Sequence, residues 1–227
     1  MITFADNRKD FYSMIDINNS DLNLKEQIHN SLFHSIVTGV YPPGTVLHEK
    51  KLMDQYSVSR APIREALIQL CSERMLVSMP KKGYVVTALS MEDMKNIIAF
   101  RQVMECTYLQ WFSSCITEES IQKLENHLYS LDLSHHGMTA PEHWHLNSQF
   151  HLLLFDNYHN PFAYDKLKEA LISQTRFYAQ ERISKWASPV FVDPSSLHFA
   201  IVDYLKQGNV KMAVNILKAD IEDITTA

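Results

Sequence analysis

Near the start of the chain, apolar residues recur at every fourth position, at Leu24, Ile28, Leu32 and Ile36. This period places them on one side of an amphipathic helix. Gly39 ends the pattern, and the Pro-Pro-Gly run at residues 42–44 forces a turn. We therefore predict a helix up to Gly39 and, after the turn, a short extended segment at residues 45–47.

Two shorter helical patterns follow. Residues 49–56 fit a two-turn helix whose inward positions are Leu52, Met53 and Tyr56. Ser59 is a favourable N-cap for a second helix from Arg60 to about Arg74, and Pro62 is tolerated in its first turn. The buried face of this helix is predicted to carry Ala66, Leu67 and Leu70.

Residues 75–79 and 84–86 read as two short strands around a turn at residues 80–83. Helix, short helix, turn, helix and hairpin, in that order, define a winged helix-turn-helix. We assign residues 21–88 to this domain and residues 1–20 to a loose N-terminal arm.

Nearly all of the remaining chain, residues 89–227, has helical periodicity. Six or seven helices are expected, at about residues 90–114, 117–132, 140–158, 160–185, 194–206 and 209–225, with loops at 135–139 and 188–194. The predicted fold is mainly α: an N-terminal winged helix-turn-helix followed by an all-helical bundle of six or seven helices.

Composition fits this picture. The 227 residues are 46% hydrophobic and include only 5 glycines and 8 prolines, which favours helices over a β-sandwich. No apolar run is long enough to span a bilayer, and the N-terminus lacks the pattern of a signal peptide, so we expect a cytoplasmic protein. The three cysteines, in apolar helical surroundings, are expected to be small core residues: Cys71, Cys106 and Cys115.

The net charge of −5 argues against a general nucleic-acid coat, but the charge is unevenly distributed. Residues 20–88 carry 8 Lys/Arg against 6 Asp/Glu, whereas residues 89–227 carry 11 against 17. A DNA-binding module needs only local positive charge that faces the phosphates. The asymmetry therefore permits DNA binding by the first part.

The cations of the first part lie where a DNA groove would meet them. Arg60 and Arg64 are one turn apart at the start of the predicted recognition helix, where an arginine can contact a guanine edge. Lys50 and Ser59 are placed for phosphates. Lys81 and Lys82 at the hairpin tip can reach the minor groove, with Gly83 permitting close approach. Alternatively, these residues are ordinary surface charges, with Glu65 as the partner of the arginines.

The motif around these cations resembles the N-terminal winged helix of GntR-family bacterial transcription regulators. The matching pattern covers residues 20–88 and has as its core Val58-Ser59-Arg60-x-Pro62-x-Arg64-Glu65-Ala66-Leu67-x-x-Leu70, followed by Gly83-x-x-Val86. The resemblance implies operator binding as a dimer, with DNA contacts at Lys50, Ser59, Arg60, Arg64 and Gly83. One position departs from it, since Arg74 stands where members often carry a helix-ending glycine.

Histidines mark the helical part. Eight of the 11 lie between His127 and His198, and His143, Asn147 and His151 share one helical face. Together with His198 and Asp220 they could bind Zn, Ni or Mn. Equally, histidines on a buried helical face are often core residues with satisfied hydrogen bonds.

Residues 91–225 resemble the all-helical FCD effector domain of the FadR subfamily. The resemblance rests on Arg101-x-x-x-Glu105, Phe150-His151, Asn160-Pro161, and His198 with Gly208-Asn209 and Ala213 after it. It implies a divalent metal, with Zn or Ni favoured, at four positions: Asn147, His151, His198 and Asp220. Two of them depart from the family, because Asn replaces the usual Asp and Asp replaces the usual third His.

The same resemblance implies a small carboxylate effector near the metal. Arg101 and Arg176 are the candidate anchors, because a guanidinium grips a carboxylate in bidentate fashion. Arg101 can instead form an ion pair with Glu105 one turn on. Phe177, Tyr178 and Trp186 either line the cavity or belong to the core.

The function favoured by these patterns is a ligand-responsive, dimeric DNA-binding regulator, a repressor, with no enzymatic activity. The alternative is a metal-dependent enzyme using His151, His198 and Asp220. The chain has no His-Glu-x-x-His, phosphate-binding glycine loop or Gly-x-Ser-x-Gly in its support. A structural or interaction protein with a vestigial DNA module is a third class, and the intact Arg60 and Arg64 argue against it.

Overall fold

The computed structural model describes residues 23–132, 140–181 and 195–222. The predicted N-terminal arm and the predicted loops at 135–139 and 188–194 lie outside these residues. The chain divides into two compact units. The first contains the described residues up to Leu89 together with the end of a later helix from Ala179, and the second begins at Ser90.

Helix α1, Leu24–Val37, opens the first unit. The Asn23 side chain accepts a hydrogen bond from the Glu26 backbone, and the Glu26 carboxylate accepts one from the Asn23 backbone, so that the first turn is capped from both sides. The predicted stripe is buried from Ile28 onwards, whereas Leu24 is exposed, because it lies in the first turn. Gly39 follows the helix with a φ of 76°, as a helix-ending glycine does.

Helices α2, Glu49–Tyr56, and α3, Arg60–Ser72, form the helix-turn-helix. Leu52 is the buried residue of α2, and the buried face of α3 comprises Ile63, Ala66, Leu67 and Leu70. Ser59 occupies the N-cap position of α3, but its hydroxyl makes no capping hydrogen bond. The helix therefore begins after Ser59, as predicted, but without the hydrogen bond from a side-chain cap that a serine at this position can form.

The hairpin strands are β2, Leu76–Met79, and β3, Gly83–Val86, close to their predicted bounds. The extended segment after the proline turn is a third strand, β1, Val46–Leu47. It pairs antiparallel with β3 in the sheet order β1-β3-β2, with Leu47 opposite Tyr84 and Met79 opposite Gly83. This sheet holds the wing against the helices.

The second unit is helical throughout its described part. Its first predicted helix is interrupted: α4, Met91–Arg101, passes into a π-helical turn, Gln102–Cys106, and then α5, Thr107–Phe112, and a 3₁₀ turn, Ser113–Cys115. The other helices are α6 Glu118–Asp132, α7 Ala140–Asp156, α8 Pro161–Glu181, α9 Ser195–Lys206 and α10 Val210–Glu222. With α4 and α5 counted together or apart, six or seven helices result, as expected.

Apolar side chains from the facing helices fill this unit. Buried residues include Leu124, Leu128, Phe150, Leu154, Ile201, Val202, Ala213 and Leu217. Cys71 and Cys106 are half-buried free thiols, but Cys115 is exposed, so that its prediction as a core residue is wrong. None of the helices in the described ranges is long and apolar enough to cross a membrane.

The last turn of α8 belongs to the first unit. The Gln180 amide nitrogen donates to the carbonyl oxygen of Leu89 at 2.6 Å, and its oxygen accepts from the Leu89 backbone N–H at 2.8 Å. The position of a Cβ on Gly39 would lie 3.5 Å from the carbonyl oxygen of Ala179. This turn is thus tied to the helix-turn-helix unit by backbone and side-chain contacts.

Candidate functional site

The predicted DNA-contact residues are accessible. Among them, the side chains of the six non-glycine residues are exposed, and Gly83 is half-buried: Lys50, Ser59, Arg60, Arg64, Lys81, Lys82 and Gly83. Arg60 and Arg64 lie in the first two turns of α3 and are exposed. The free N–H groups of a helix N-terminus add partial positive charge at the same end.

Glu49 contacts both α3 and β3 at this surface. Its carboxylate lies 3.3 Å from Nε of Arg60, and it accepts a hydrogen bond from the Tyr84 hydroxyl at 3.5 Å. The Arg60 side chain is 67% exposed, so it pairs with Glu49 without being withdrawn from solvent. Burial, followed by the Glu49 charge, raises the pKa of Tyr84, although Arg64 opposes the shift. The sequence had suggested Glu65 as the alternative partner of the arginines, and it gave no sign of Glu49, which is distant from Tyr84 along the chain.

The wing tip is a tight turn. The backbone N–H of Lys82 donates to the carbonyl of Met79 at 3.0 Å, and Lys81 has a φ of 65°. Gly83 has a φ of 110°, and a Cβ built on it would lie 2.7 Å from the carbonyl oxygen of Leu47. A glycine is therefore required at this position by the approach of β1 and by the backbone conformation.

In the second unit, α7, α9 and α10 bring three predicted metal ligands together. Nε2 of His151 lies 3.1 Å from one Asp220 carboxylate oxygen, and Nε2 of His198 lies 3.2 Å from the other. The ligand atoms of the three residues all lie within 4.8 Å of one another. His198 is fixed by stacking on Phe150, with ring centroids 3.9 Å apart. Both histidines are buried.

Behind His151 lies a buried chain of polar groups. Nδ1 of His151 lies 2.6 Å from Oε2 of Glu105, and Oε1 of Glu105 accepts from Nε of Arg101 at 2.7 Å. The Nη1 of Arg101 donates to the Gln174 side-chain oxygen. The Arg101–Glu105 ion pair, which the sequence offered as the alternative to effector binding, therefore exists. The sequence revealed neither the contact of Glu105 with His151 nor any role for Gln174, because these contacts join residues 46 and 73 positions apart.

Burial and charge set the protonation of this cluster. Burial alone would raise the pKa of Asp220, but the nearby charges of His198 and His151 outweigh it, and the pKa is lowered. The pKa of Glu105 is lowered against burial by Arg101 and His151. For His151, burial would lower the pKa, but Glu105 and Asp220 raise it. Both carboxylates are therefore ionised in the folded protein.

The three residues fit a divalent cation. Within the described residues, the buried Nε2 atoms of His151 and His198 have no partner with hydrogen-bond geometry, although both lie close to the Asp220 carboxylate. Ligand atoms that share one ion at bond lengths of about 2.0–2.2 Å lie about 3 Å apart. Each histidine Nε2 lies at such a distance from one Asp220 oxygen, and the ligand atoms of all three residues lie within 4.8 Å of one another. Two imidazoles and one carboxylate also form a plausible ligand set for a transition metal.

The remaining predicted residues are less clearly assigned. Asn147 is half-buried one turn before His151 on α7, whereas the side chain of His143 and all of Trp186 lie outside the described residues. Arg176 is buried; burial lowers its pKa to about 10, with Asp93 opposing the shift. Tyr178 is also buried and stacks on Trp144, with centroids 4.2 Å apart. Arg101, at 1% exposure, keeps its Nη2 without a hydrogen-bond partner among the described residues.

Two segments of the chain match known families. Residues 24–86 match the bacterial regulatory proteins of the gntR family, and residues 96–223 match the FCD domain. The chain belongs to the GntR family and carries an FCD domain. This GntR-family protein is accordingly a DNA-binding transcriptional regulator.

Individual relatives agree with this assignment. The HTH-type transcriptional repressor RspR of Escherichia coli (strain K12) is 29% identical over 163 residues, which are 71% of this chain and 72% of RspR. The HTH-type transcriptional regulator YdhC of Bacillus subtilis (strain 168) is 32% identical over 135 residues, which are 59% of this chain and 60% of YdhC. The solved structure of E. coli McbR/YncC shares the fold, with a TM-score of 0.70, 19% identity, and coverage of 88% of this chain and 94% of that one.

Proposed function

We propose that this GntR-family protein is a repressor of the FadR subfamily that binds a palindromic operator as a homodimer and is controlled by a small carboxylate. The observation that carries the proposal is the exposed Arg60–Arg64 pair at the N-terminal end of α3, together with the exposed Lys81 and Lys82 at the wing tip. An arginine at that end of a recognition helix can read a guanine edge, worth about 1–3 kcal/mol of discrimination. The remaining cations, including Lys50, supply phosphate contacts.

A homodimer follows from the size of the reading surface. One recognition helix reads only a few base pairs, which is too little for a specific site in a genome. Two copies related by a twofold axis read two half-sites about one helical turn apart. The operator is then an inverted repeat, and residues 89–227 are proposed as the part that dimerises and takes the effector.

We further propose a divalent metal, with Zn or Ni favoured, held by His151, His198 and Asp220, with Asn147 as a fourth, neutral ligand. Asp220 supplies the one negative charge that the family's usual Asp would have supplied at Asn147. A bound ion would supply positive charge and a coordination position for a carboxylate oxygen. The buried Nε2 atoms of both histidines support this assignment.

For the effector, Arg101 and Arg176 are the proposed anchors. Arg101 is fixed by Glu105 and Gln174, and its Nη2, which has no hydrogen-bond partner among the described residues, is a buried donor that a carboxylate can satisfy. A buried donor left without a partner costs about 1–3 kcal/mol, so a ligand that satisfies it gains in affinity. Effector binding that favours one of two domain arrangements would then change operator affinity.

The alternative of a metal-dependent enzyme receives no support from the relatives, whose names describe regulators. The same His151, His198 and Asp220 cluster serves a sensor equally well, because ligand binding needs no general base beside the metal. We therefore assign this cluster to effector sensing.

The proposal is tested by selecting bound sequences from a random duplex library with the full-length protein. We expect an enriched inverted repeat with half-site centres about 10 base pairs apart, and two chains per duplex by light scattering. A variant with Arg60 and Arg64 both changed to Ala should enrich no sequence. Failure of the unmodified protein to enrich any sequence, or one chain on a single half-site, would contradict the proposal.

A further inference from the structure

Glu105 occupies an unusual place in its helix. It lies in the π-helical turn Gln102–Cys106 between α4 and α5, and its side chain is 3% exposed. π-Turns inside helices are uncommon and occur frequently at functional sites. Each oxygen of this buried carboxylate faces a different partner, His151 on one side and Arg101 on the other.

The contact with His151 selects which ring nitrogen carries a proton. A carboxylate accepts hydrogen bonds, so Nδ1, which lies 2.6 Å from Oε2 of Glu105, is the ring nitrogen placed to donate to it. The other nitrogen, Nε2, faces Asp220 and the candidate metal position, where the lone pair of an imidazole protonated at Nδ1 would be available to an ion. Hydrogen bonding to a carboxylate also fixes the ring plane and makes the ligating nitrogen more basic.

Arg101 and Gln174 keep Glu105 in place. The guanidinium balances the buried charge of Glu105, and its Nη1 is in turn held by the Gln174 side chain. These contacts offset the cost of burying the Glu105 charge and hold its carboxylate against His151. The chain Gln174–Arg101–Glu105–His151 therefore forms a continuous support behind the metal ligand.

We propose that Glu105 is the positioning residue of the metal site, which holds His151 with Nδ1 protonated and Nε2 free for a divalent ion. This inference rests on the proposed metal binding by His151, His198 and Asp220. It predicts that the carboxylate of Glu105 contributes to metal affinity although it does not touch the ion.

The test compares zinc affinity, measured by chelator competition, for the unmodified chain, Glu105→Ala, Glu105→Gln and the control Glu119→Gln. Glu119 is an exposed carboxylate of α6, paired with Lys123, and its change removes the same charge from the same unit. Removing a carboxylate behind a metal-bound histidine typically costs 10–100-fold in affinity. We expect zinc affinity to fall about 10-fold or more in Glu105→Ala, to fall less but clearly in Glu105→Gln, and to be unchanged in Glu119→Gln.

A second readout separates positioning from a general structural effect. In zinc-loaded protein labelled with ¹⁵N-histidine, His151 should show a slowly exchanging Nδ1–H resonance that is lost in Glu105→Ala and shifted, with faster exchange, in Glu105→Gln, whose amide oxygen is a weaker acceptor. If Glu105→Ala fails to fold because Arg101 and His151 lose their shared partner, Glu105→Gln, which retains an acceptor oxygen, carries both measurements.

The outcomes distinguish this inference from the function on which it rests. If the unmodified chain binds no zinc, the proposed metal site and this inference both fail. If it binds zinc and both Glu105 variants match Glu119→Gln, or if the His151 resonance is unchanged in them, the metal site stands and the positioning role of Glu105 is refuted.

Discussion

At the scale of single residues, Arg74 ends the recognition helix in a conformation that usually belongs to glycine. Its φ is 58°, its N–H donates to the carbonyl of Cys71, and the N–H of Met75 donates to Leu70. These are the two hydrogen bonds of a Schellman motif. A helix-ending turn that usually requires glycine is thus formed with arginine, which adopts the strained left-handed conformation.

Replacing Arg74 by glycine should therefore stabilise the protein. A left-handed residue with a Cβ costs about 1–2 kcal/mol, and the greater freedom of glycine in the unfolded chain offsets part of the gain. We expect the free energy of unfolding in urea to rise by roughly 0.5–1 kcal/mol for Arg74→Gly. Arg74→Ala, which removes the charge but keeps the Cβ, is the control, and equal stability of the two variants would contradict this explanation.

His29 links α1 to the end of the recognition helix. Its Nε2 lies 2.8 Å from the Glu73 carboxylate, and its Nδ1 lies 3.1 Å from the side-chain oxygen of Asn30. Burial alone would lower the pKa of His29, and Lys25 acts in the same direction, but Glu73 and Asn30 outweigh them and raise it. The protonated form is therefore favoured by folding.

The resulting pH dependence has a definite sign. The stabilisation by His29 is fully present below the unfolded pKa, about 6.5, and is lost as pH rises through the higher folded pKa. Between pH values of about 6 and 8, the unmodified protein should lose more stability than His29→Gln. Thermal melting of both proteins across this interval measures the difference, and parallel curves would refute the assignment.

Residue-level prediction from the sequence succeeded where the signal is local. The spacing of Arg101 and Glu105 was enough to suggest their ion pair, which the structure contains. The contact between Glu105 and His151 joins residues 46 positions apart, so neither spacing nor periodicity could indicate it. The resemblance to the FCD domain suggested His151, His198 and Asp220 as candidate ligands, but only the fold shows that Glu105 contacts His151 from behind.

At the scale of elements, the wing depends on how β1 approaches β3. A Cβ at Gly83 would lie 2.7 Å from the Leu47 carbonyl oxygen, whereas at Gly44 nothing lies within 4 Å. Both glycines have positive φ, so the pair separates backbone strain from steric conflict. Gly44→Ala should cost about 1 kcal/mol from strain alone.

Gly83→Ala should lower the free energy of unfolding by more than Gly44→Ala does, by about 2 kcal/mol or above, because β1 or the wing must also shift. Urea denaturation of the two variants gives the comparison. Amide exchange in residues 83–86 should quicken in Gly83→Ala only. Equal losses of stability would show that the Leu47 carbonyl does not constrain the wing.

Capping residues, turn residues and periodicity predicted where helices and strands begin and end. They did not predict where a helix departs from α-helical geometry. The chain around residues 90–114 was correctly predicted to be helical, yet the π-turn at Gln102–Cys106 has no distinct pattern of apolar positions. Its cause is tertiary, since it accompanies the buried Arg101–Glu105–His151 contacts. A local pattern therefore cannot reveal it.

At the scale of the whole molecule, the order of elements, the placement of Arg60 and Arg64, and the resemblance to GntR regulators predicted a DNA-binding domain followed by a helical domain, whereas the uneven charge only permitted it. What the sequence could not show is that the chain contributes to the first unit twice, because the last turn of α8 binds Leu89 through Gln180. The boundary between the two units at Ala179 falls within α8, so helical periodicity is the same on both sides of it. Only contacts between residues distant along the chain define this boundary.

The central claim is that α3 reads DNA sequence, and Arg64→Ala tests it most directly. Fluorescence anisotropy with the full-length protein would compare the selected operator with a scrambled duplex over a range of salt concentrations. Lys166→Ala, which removes an exposed cation that pairs with Glu169 on α8, is the matched control.

We expect operator affinity to fall steeply with salt for the unmodified protein and for Lys166→Ala. Arg64→Ala should lose roughly 5- to 150-fold in operator affinity, the equivalent of about 1–3 kcal/mol, but less than about threefold on the scrambled duplex. Equal losses on both duplexes would contradict the claim that α3 reads the bases.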